Sequence, residues 1–341
     1  MAMITGMKGK TYLVTGAAGF IGFHAARRLL ELGCRVIGLD NENDYYDVSL
    51  KQARLSILKG YDRFLYYKGD ISDEPFLLWV FSEHRPDYVI HLAAQAGVRY
   101  SLTNPDVYMQ SNIMGFFAVL EACRAFPVTH LVYASSSSVY GANEKVPFAE
   151  DDPVDHPVSL YAATKKSNEL MADTYSHLYG IPAIGLRFFT VYGPFGRPDM
   201  AYFSFTDAYF SGKEITIFNG GDREHDLYRD FTYIDDIVEG MLRLTHRPAV
   251  QRPLHQIFNI GNNSPVKLMR FIEILEHVIH VTTGNPVSFR KVYEPMKPED
   301  VPATYASIER LKKYVGFQPK TTLPEGLQKF SDWYCSYYHK H

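Results

Sequence analysis

Through the first half of this chain, short apolar runs alternate with helically spaced stretches. Residues 10–15 read as a strand that runs straight into a glycine-rich turn, and residues 20–32 then show helical spacing until Gly33 stops it. Residues 35–40 form a second apolar strand that ends on an acid. Further strands are predicted over 64–70, 88–92, 130–134 and 183–187, with helical segments around 75–83, 107–124 and 160–179. Strands and helices alternating in this way build a doubly wound parallel α/β sheet, whose ligands gather beyond the carboxyl ends of the strands.

After Arg187 the pattern changes. Gly193-Pro194, Gly196-Arg197-Pro198 and Gly220-Gly221 mark turns between short mixed elements. Residues 231–244 and 256–261 regain a regular pattern. The expectation is a first domain over 1–187, rejoined by 231–262, and a smaller, interleaved C-terminal α/β domain over 188–230 and 263–341.

Where the first strand ends, Gly16-Ala17-Ala18-Gly19-Phe20-Ile21-Gly22 places three glycines at the mouth of a helix. Glycine permits the tight turn, a close approach of backbone to phosphate, and close packing of helix on strand. The helix N-terminus adds free N–H groups and a partial positive charge. The turn therefore reads as a cradle for a dinucleotide pyrophosphate, a Rossmann feature, with Gly16, Gly19, Phe20, Ile21 and Gly22 as its contacts. Asp40, with Asn41 beside it, lies at the distance from the glycines that ribose hydroxyls require. Its charge repels a 2′-phosphate and no Arg follows it directly, so the expected cofactor is NAD rather than NADP. Asp70 and Ile71 follow the third strand, where a polar group meets the adenine edge. Leu92, Ala93, Ala94 and Gln95 follow the fourth, where small side chains let a cofactor near the backbone.

Tyr161 and Lys165 stand one helical turn apart on one face, a phenol and an ammonium together. A second Tyr-to-Lys pair, Tyr209 and Lys213, encloses Ser211-Gly212 and reads as a helix end. Ser135-Ser136-Ser137-Ser138 follows the fifth strand and leads into Val139-Tyr140-Gly141, which argues for hydroxyls facing a pocket rather than a linker. A Ser-Tyr-Lys set moves a proton and a hydride on an alcohol carbon: Lys165 lowers the phenol pKa and holds the nicotinamide ribose, Tyr161 takes the proton, and the serine steadies the oxygen. His24 and His91 read as packing or surface residues.

The bulk numbers narrow the class. In 341 residues, 46% are hydrophobic and 21% charged, an ordinary globular balance, and a net charge of −3 argues against nucleic acid as a partner. Cys34, Cys123 and Cys335 share no metal-ligand or redox spacing, so no metal is expected and the thiols suit a reducing compartment. The first ten residues lack the apolar run of a signal peptide, and polar residues interrupt every apolar run short of a membrane span. These features lead us to expect a cytoplasmic chain with no membrane contact.

The motifs together resemble the extended short-chain dehydrogenase/reductases, within them the sugar-nucleotide epimerase and dehydratase group, over nearly the whole length. Runs 133–141, 158–166, 186–194, 196–201 and 229–236 are similar to the UDP-glucuronate 4-epimerase subfamily. The resemblance implies an NAD-dependent isomerase acting on a UDP-sugar, with Ser136, Tyr161 and Lys165 catalytic. It further implies that Ser137, Ser138 and Thr190 hold the sugar carboxylate, where related dehydratases and decarboxylases carry acids. Arg197 and Arg229 match positions near the UDP diphosphate, Arg99 is a further substrate contact, and Asp300 lies on the uridine side. Helices near 107–124 and 160–179 match those of the family's dimer bundle, so a homodimer is expected. The chain departs from the pattern at Glu224-His225-Asp226-Leu227-Tyr228, which are extra residues, and at Lys297 and Glu299. The rivals are a 4-epimerase of neutral UDP-sugars such as UDP-glucose or UDP-N-acetylglucosamine, a decarboxylase or dehydratase, and a non-catalytic redox-sensing binder.

Overall fold

The computed structural model describes residues 6–221, 226–295 and 303–340. Seven parallel strands form the main sheet: β1 (Thr11–Thr15), β2 (Arg35–Asp40), β3 (Phe64–Lys68), β4 (Tyr88–His91), β5 (His130–Ser136), β6 (Ala183–Phe188) and β10 (His255–Ile260). Their order is β10-β6-β5-β4-β1-β2-β3, so β1 is flanked by β4 and β2 and the winding reverses there. Thr15 stands in register with Leu39 on one side and His91 on the other. Both faces of the sheet are covered, which is why these strands read as near-continuous apolar runs. Tyr12 and Val14 face one core while Leu13 faces the other, the alternation a pleat imposes.

The helices are α1 (Phe20–Glu31), α2 (Val48–Lys59), α3 (Glu74–His84), α4 (Tyr100–Thr103), α5 (Pro105–Tyr108), α6 (Gly115–Ala125), α7 (Leu160–Tyr179), α8 (Ala201–Phe210), α9 (Ile234–Thr245), α10 (Leu268–Thr283), α11 (Glu309–Val315) and α12 (Leu323–Tyr337). Beyond the main sheet, β7 (Thr190–Tyr192), β11 (Pro265–Lys267) and β13 (Ala303–Thr304) all pair with β9 (Tyr228–Tyr233), and β8 (Ile215–Ile217) pairs with β12 (Lys291–Tyr293). Within 231–262, β9 therefore belongs to the small sheet, whereas α9 packs on α1 and β10 pairs with β6.

Two elements add to the sequence reading. Residues 107–124 are helical throughout, but a π-helical turn, Met109–Met114, interrupts the α geometry between α5 and α6. There Asn112 turns inward and hydrogen-bonds both backbone groups of Gln95, 2.8 Å from its N–H and 3.0 Å from its carbonyl. α2 had no counterpart in the pattern, because its buried face includes Lys51 and Arg54 beside Leu50, Leu55 and Leu58. Cations at core positions hide the amphipathic period.

The glycine turn is fixed by contact. A Cβ on Gly22 would lie 2.0 Å from the Gly16 carbonyl oxygen, and one on Gly16 would lie 2.8 Å from the Ala93 nitrogen. Gly22→Ala should therefore lower stability by about 1–3 kcal/mol, the usual cost of overpacking. Gly6→Ala, with nothing within 4 Å of the added carbon, should leave the melting temperature unchanged. Equal melting temperatures for the two variants would mean that the turn gives way freely.

Candidate active site

Beyond the carboxyl ends of β1, β4, β5 and β6 the structure opens into a cleft of about 620 Å³. At one end lies the glycine turn. Gly19 caps α1 without any side-chain cap, and Phe20, Ile21 and Gly22 line the cleft, so the first-turn N–H groups face it. A Cβ on Gly16 or Gly22 would collide with neighbouring backbone, so the turn is as bare as a pyrophosphate cradle needs to be. Asp40 ends β2 with its carboxylate oriented by Ala18 N–H (3.0 Å) and Glu42 N–H (2.8 Å). Burial raises its pKa, opposed by the Lys51 ammonium and these two N–H groups. Asn41 lines the cleft and donates to Asp70 Oδ2 (2.8 Å). Asp70 stands behind it, between Gly69 and Ile71, which line the wall. Burial works to raise the Asp70 pKa, and hydrogen bonds from Ser72 and Asn41 outweigh it. Leu92, Ala93, Ala94 and Gln95 form the opposite wall. These residues fit a dinucleotide.

At the other end the serines separate by geometry. Ser135 donates to Glu169 (2.6 Å), which pairs with Arg187 in a buried salt bridge. Ser136 is extended (φ −155°), and a 3₁₀ turn, Ser137–Tyr140, follows, with Ser138 N–H donating to Ser136 Oγ (3.2 Å). The whole row lines the cleft with Thr190 and Arg197. Across from it α7 begins with Ser159 accepting from Ala162 N–H, which fixes the turn carrying Tyr161. Burial raises the Tyr161 pKa, opposed by a hydrogen bond from Ser136 and by the Arg197 charge. Lys165, lowered to about 8 by burial, donates its Nζ to Ala134 O (2.9 Å). Arg197 and Ser136 are the groups that oppose burial of the phenol, while the Lys165 ammonium hydrogen-bonds the carbonyl of Ala134 on β5.

The structure brings Ser136, Ser137, Ser138, Tyr161, Lys165, Thr190, Arg99 and Arg197 into one cleft. Arg229 lies apart, lining an adjoining cavity of about 490 Å³ that shares Arg99, Thr190 and Asp199 with the first. Asp300, Glu224, His225, Lys297 and Glu299 lie outside the described residues. Asp199 had no role in the sequence reading. It accepts from Arg197 Nε (3.0 Å) and from the Tyr45 hydroxyl (3.2 Å), and Arg197 with Tyr45 outweighs burial to hold its pKa low. Its position two residues beyond an arginine in a glycine-proline turn was the only available signal. His24 and His91 are buried and neutral: burial lowers both to about 3. Among the described residues no cluster of side chains could hold a metal, and no helix is long and apolar enough to cross a membrane.

The sequence profile of the NAD-dependent epimerase/dehydratase family matches residues 12–261. The chain is 50% identical to protein CapI of Staphylococcus aureus over 342 residues, covering 96% of this chain and 99% of that one. It is 49% identical to UDP-glucuronate 4-epimerase 1 of Arabidopsis thaliana over 340 residues, covering 97% of this chain and 78% of the relative. The UDP-glucuronic acid 4-epimerase of Bacillus cereus, solved with UDP-glucuronic acid and NAD, superposes with a TM-score of 0.86 at 32% identity, over 96% of this chain and all of that one.

Tyr161→Phe keeps the ring and removes the ionisable oxygen, so turnover should fall about 10²–10⁴-fold, the usual worth of a positioned acid–base group. Tyr209, whose hydroxyl reaches Pro286 O at 3.4 Å, is the control, and Tyr209→Phe should stay near wild type. In cofactor-free protein, an ultraviolet pH titration that compares wild type with Tyr161→Phe should place the Tyr161 phenolate above the ordinary phenol range, because burial raises its pKa. Normal turnover in Tyr161→Phe would overturn the assignment.

Proposed function

Because this chain belongs to the NAD-dependent epimerase/dehydratase family, with NAD as its cofactor, we propose that it interconverts UDP-glucuronate and UDP-galacturonate by inverting C4 of the sugar. It is a sugar-nucleotide epimerase, and the substrate is our reading. The observation that carries it is the row Ser136-Ser137-Ser138 with Thr190, facing the same cleft as Tyr161.

The chemistry explains why hydroxyls suit that place. Tyr161, in the ionised form that Ser136 and the Arg197 charge favour against burial, takes the C4 hydroxyl proton while Ser136 hydrogen-bonds the oxygen. NAD, when bound, supplies the hydride acceptor and then the donor at C4. The 4-keto uronate is a β-keto acid, prone to lose CO₂, so its carboxylate must be restrained. Neutral hydroxyls from Ser137, Ser138 and Thr190 restrain it without adding a proton donor of acidic strength or a repelling charge. Asp199, which lines the same cleft, is already held by Arg197. Four cations line the cleft (Lys51, Arg99, Lys165, Arg197) against two carboxylates (Asp40, Asp199), a balance suited to anionic ligands. Arg197, and Arg229 in the adjoining cavity, are the diphosphate anchors in this reading.

The same reading includes a homodimer. Val107, Met109, Met114 and Phe117 are exposed around α5 and α6, as are Leu170 and Leu178 on neighbouring α7. Such an apolar patch on adjacent helices suits a bundle with a second copy. Light scattering should return twice the chain mass for the wild type, and Leu178→Asp should return the monomer. A monomeric wild type would overturn the dimer.

Assay of UDP-glucuronate, UDP-galacturonate, UDP-glucose and UDP-N-acetylglucosamine, with products identified by NMR, tests the substrate. Uronates should be preferred. Ser137→Ala, Ser138→Ala or Thr190→Val should each cost about 1.5–3 kcal/mol on UDP-glucuronate, the range for hydrogen bonds to a charged group. That is roughly 10–150-fold in kcat/KM. Residual activity on UDP-glucose should be spared, and a UDP-pentose by-product should increase. Equal losses on both sugars would reduce these residues to pocket walls, and a wild type preferring UDP-glucose would establish the neutral-sugar reading.

A further inference from the structure

α2 buries a guanidinium that has no carboxylate partner among the described residues. Arg54 is fully buried. Its Nη1 donates to Ala18 O (2.8 Å) and to the Tyr46 hydroxyl (2.7 Å), its Nη2 to Phe195 O (2.6 Å) and Gly196 O (3.1 Å), and its Nε to Phe195 O (3.2 Å). A buried cation normally takes a carboxylate, because desolvation of an uncompensated charge is costly. Here every acceptor is an uncharged oxygen.

Apart from the Tyr46 hydroxyl, the acceptors belong to two functional segments. Ala18 lies inside the glycine turn, and its own N–H donates to Asp40 (3.0 Å). Phe195 and Gly196 immediately precede Arg197. His24, on α1, adds a hydrogen bond to the preceding carbonyl, Pro194 O (2.9 Å), and being neutral it acts as the donor. Three successive carbonyls, 194–196, are thus gripped from the cofactor side of the molecule. That loop has little freedom of its own: Phe195 sits at φ +57°, and a Cβ on Gly196 would lie 1.8 Å from the Tyr202 hydroxyl. Without the donors, a left-handed phenylalanine would be expected to relax.

We propose that Arg54 is a positioning residue that clamps residues 195–196 to the glycine turn, so that Arg197 meets the substrate diphosphate in register with the cofactor. Its positive charge, shared with no carboxylate, also serves the dinucleotide pyrophosphate cradled on that turn. The planar fork does the first task and the charge the second, and the two can be separated. The inference rests on the reading of Arg197 as a diphosphate anchor.

The test uses NAD-loaded protein and UDP itself as the probe, so that the identity of the sugar does not enter. Calorimetry gives the UDP dissociation constant, and release of NAD on dilution gives cofactor retention. Arg54→Lys keeps the charge and loses the fork: UDP should bind about tenfold more weakly, a change of about 1.4 kcal/mol, with NAD release within about threefold of wild type. Its KM for the UDP-sugar should rise while kcat at saturation stays within about threefold, a loss of binding rather than of chemistry. Arg54→Met loses both features, and NAD release should also quicken about tenfold. His24→Leu, a gentler change that removes only the Pro194 bond, should weaken UDP binding about threefold without altering NAD release, and keeps the test open if an Arg54 variant does not fold. Wild-type UDP binding in Arg54→Lys or His24→Leu, whatever the melting temperature, would overturn the clamp. Wild-type NAD retention in Arg54→Met would overturn the charge. Arg197→Met separates the two failures: if it too binds UDP normally, the reading of Arg197 falls along with the clamp, whereas weakened binding there alone overturns only the role of Arg54.

Discussion

Two backbones touch where β1 leaves the sheet, and the site is built on that contact. Gly16 has φ +73°, and any side chain on it would press on the peptide between Leu92 and Ala93, where β4 leaves the sheet beside it. β1 is the strand at which the winding reverses, so helices diverge to opposite faces and a crevice opens over its end. Because the contact is that close, the turn can fold back on itself, with Gly19 N–H donating to Gly16 O (2.9 Å), and α1 starts with its N-terminus aimed into the crevice. The wall residues 92–95 are then locked in turn by Asn112 to Thr164 of α7 (3.1 Å), one residue from Lys165. The cradle and the helix carrying the tyrosine are therefore parts of one scaffold.

That scaffold holds two polar groups under strain. Tyr161 and Lys165 are shifted in the directions burial dictates, the phenol up and the ammonium down to about 8. The sign of the consequence for stability is definite. A lysine in the unfolded chain titrates near 10.5, so between about 8 and 10.5 the unfolded chain binds more protons and stability rises with pH. Below about pH 8 the full cost of burying the charge persists, on the order of 3 kcal/mol at about 1.4 kcal/mol per unit. One hydrogen bond to Ala134 O offsets little of that cost, and the sheet core beneath, with Val132, Leu131 and Tyr133 fully buried, carries the burden. Groups held at such a cost and lining one cleft mark a candidate proton-transfer site.

How much of this was legible depended on whether a position obeyed the period of its element. The inner strands through 187 could be read because a parallel sheet buried on both faces leaves unbroken apolar runs, as in β4, where all four residues are buried, whereas edge strand β3 was read from its aromatic residues though none of it is fully buried. α2 could not, since Lys51 and Arg54 occupy its inner face. The π-turn before α6 has no period of its own, and its reason lies in Asn112 reaching Gln95, a contact far off in sequence. Among site residues, those with a fixed local geometry were visible: glycines in a turn, Tyr and Lys at one helical turn. Asp199 and the Lys165–Ala134 hydrogen bond were not, because each is defined by a partner brought by the fold. Arg229 looked equivalent to Arg197 in sequence, yet β9 pairs into the small sheet and carries it to the adjoining cavity.

The four-serine run shows how identical residues acquire different work. β5 ends within the run, so Ser135 and Ser136 still follow the pleat and point to opposite sides. Ser135 goes to Glu169 and helps satisfy a carboxylate already paired to Arg187 through two bonds, which anchors the strand end on α7. Ser136 goes the other way, to the phenol. The 3₁₀ turn that follows abandons the pleat, and it keeps Ser137 and Ser138 with Ser136 at the cleft instead of returning every second hydroxyl to the core. A longer strand would have buried alternate members of the row. A carboxylate in place of Ser137 or Ser138 would put an acid beside a phenol whose ionised form Arg197 helps to stabilise, and would compete with Asp199 for that arginine. In this site, with its Arg197–Asp199 pair, that electrostatic cost adds to the reason a sugar carboxylate gives for neutral hydroxyls on the turn.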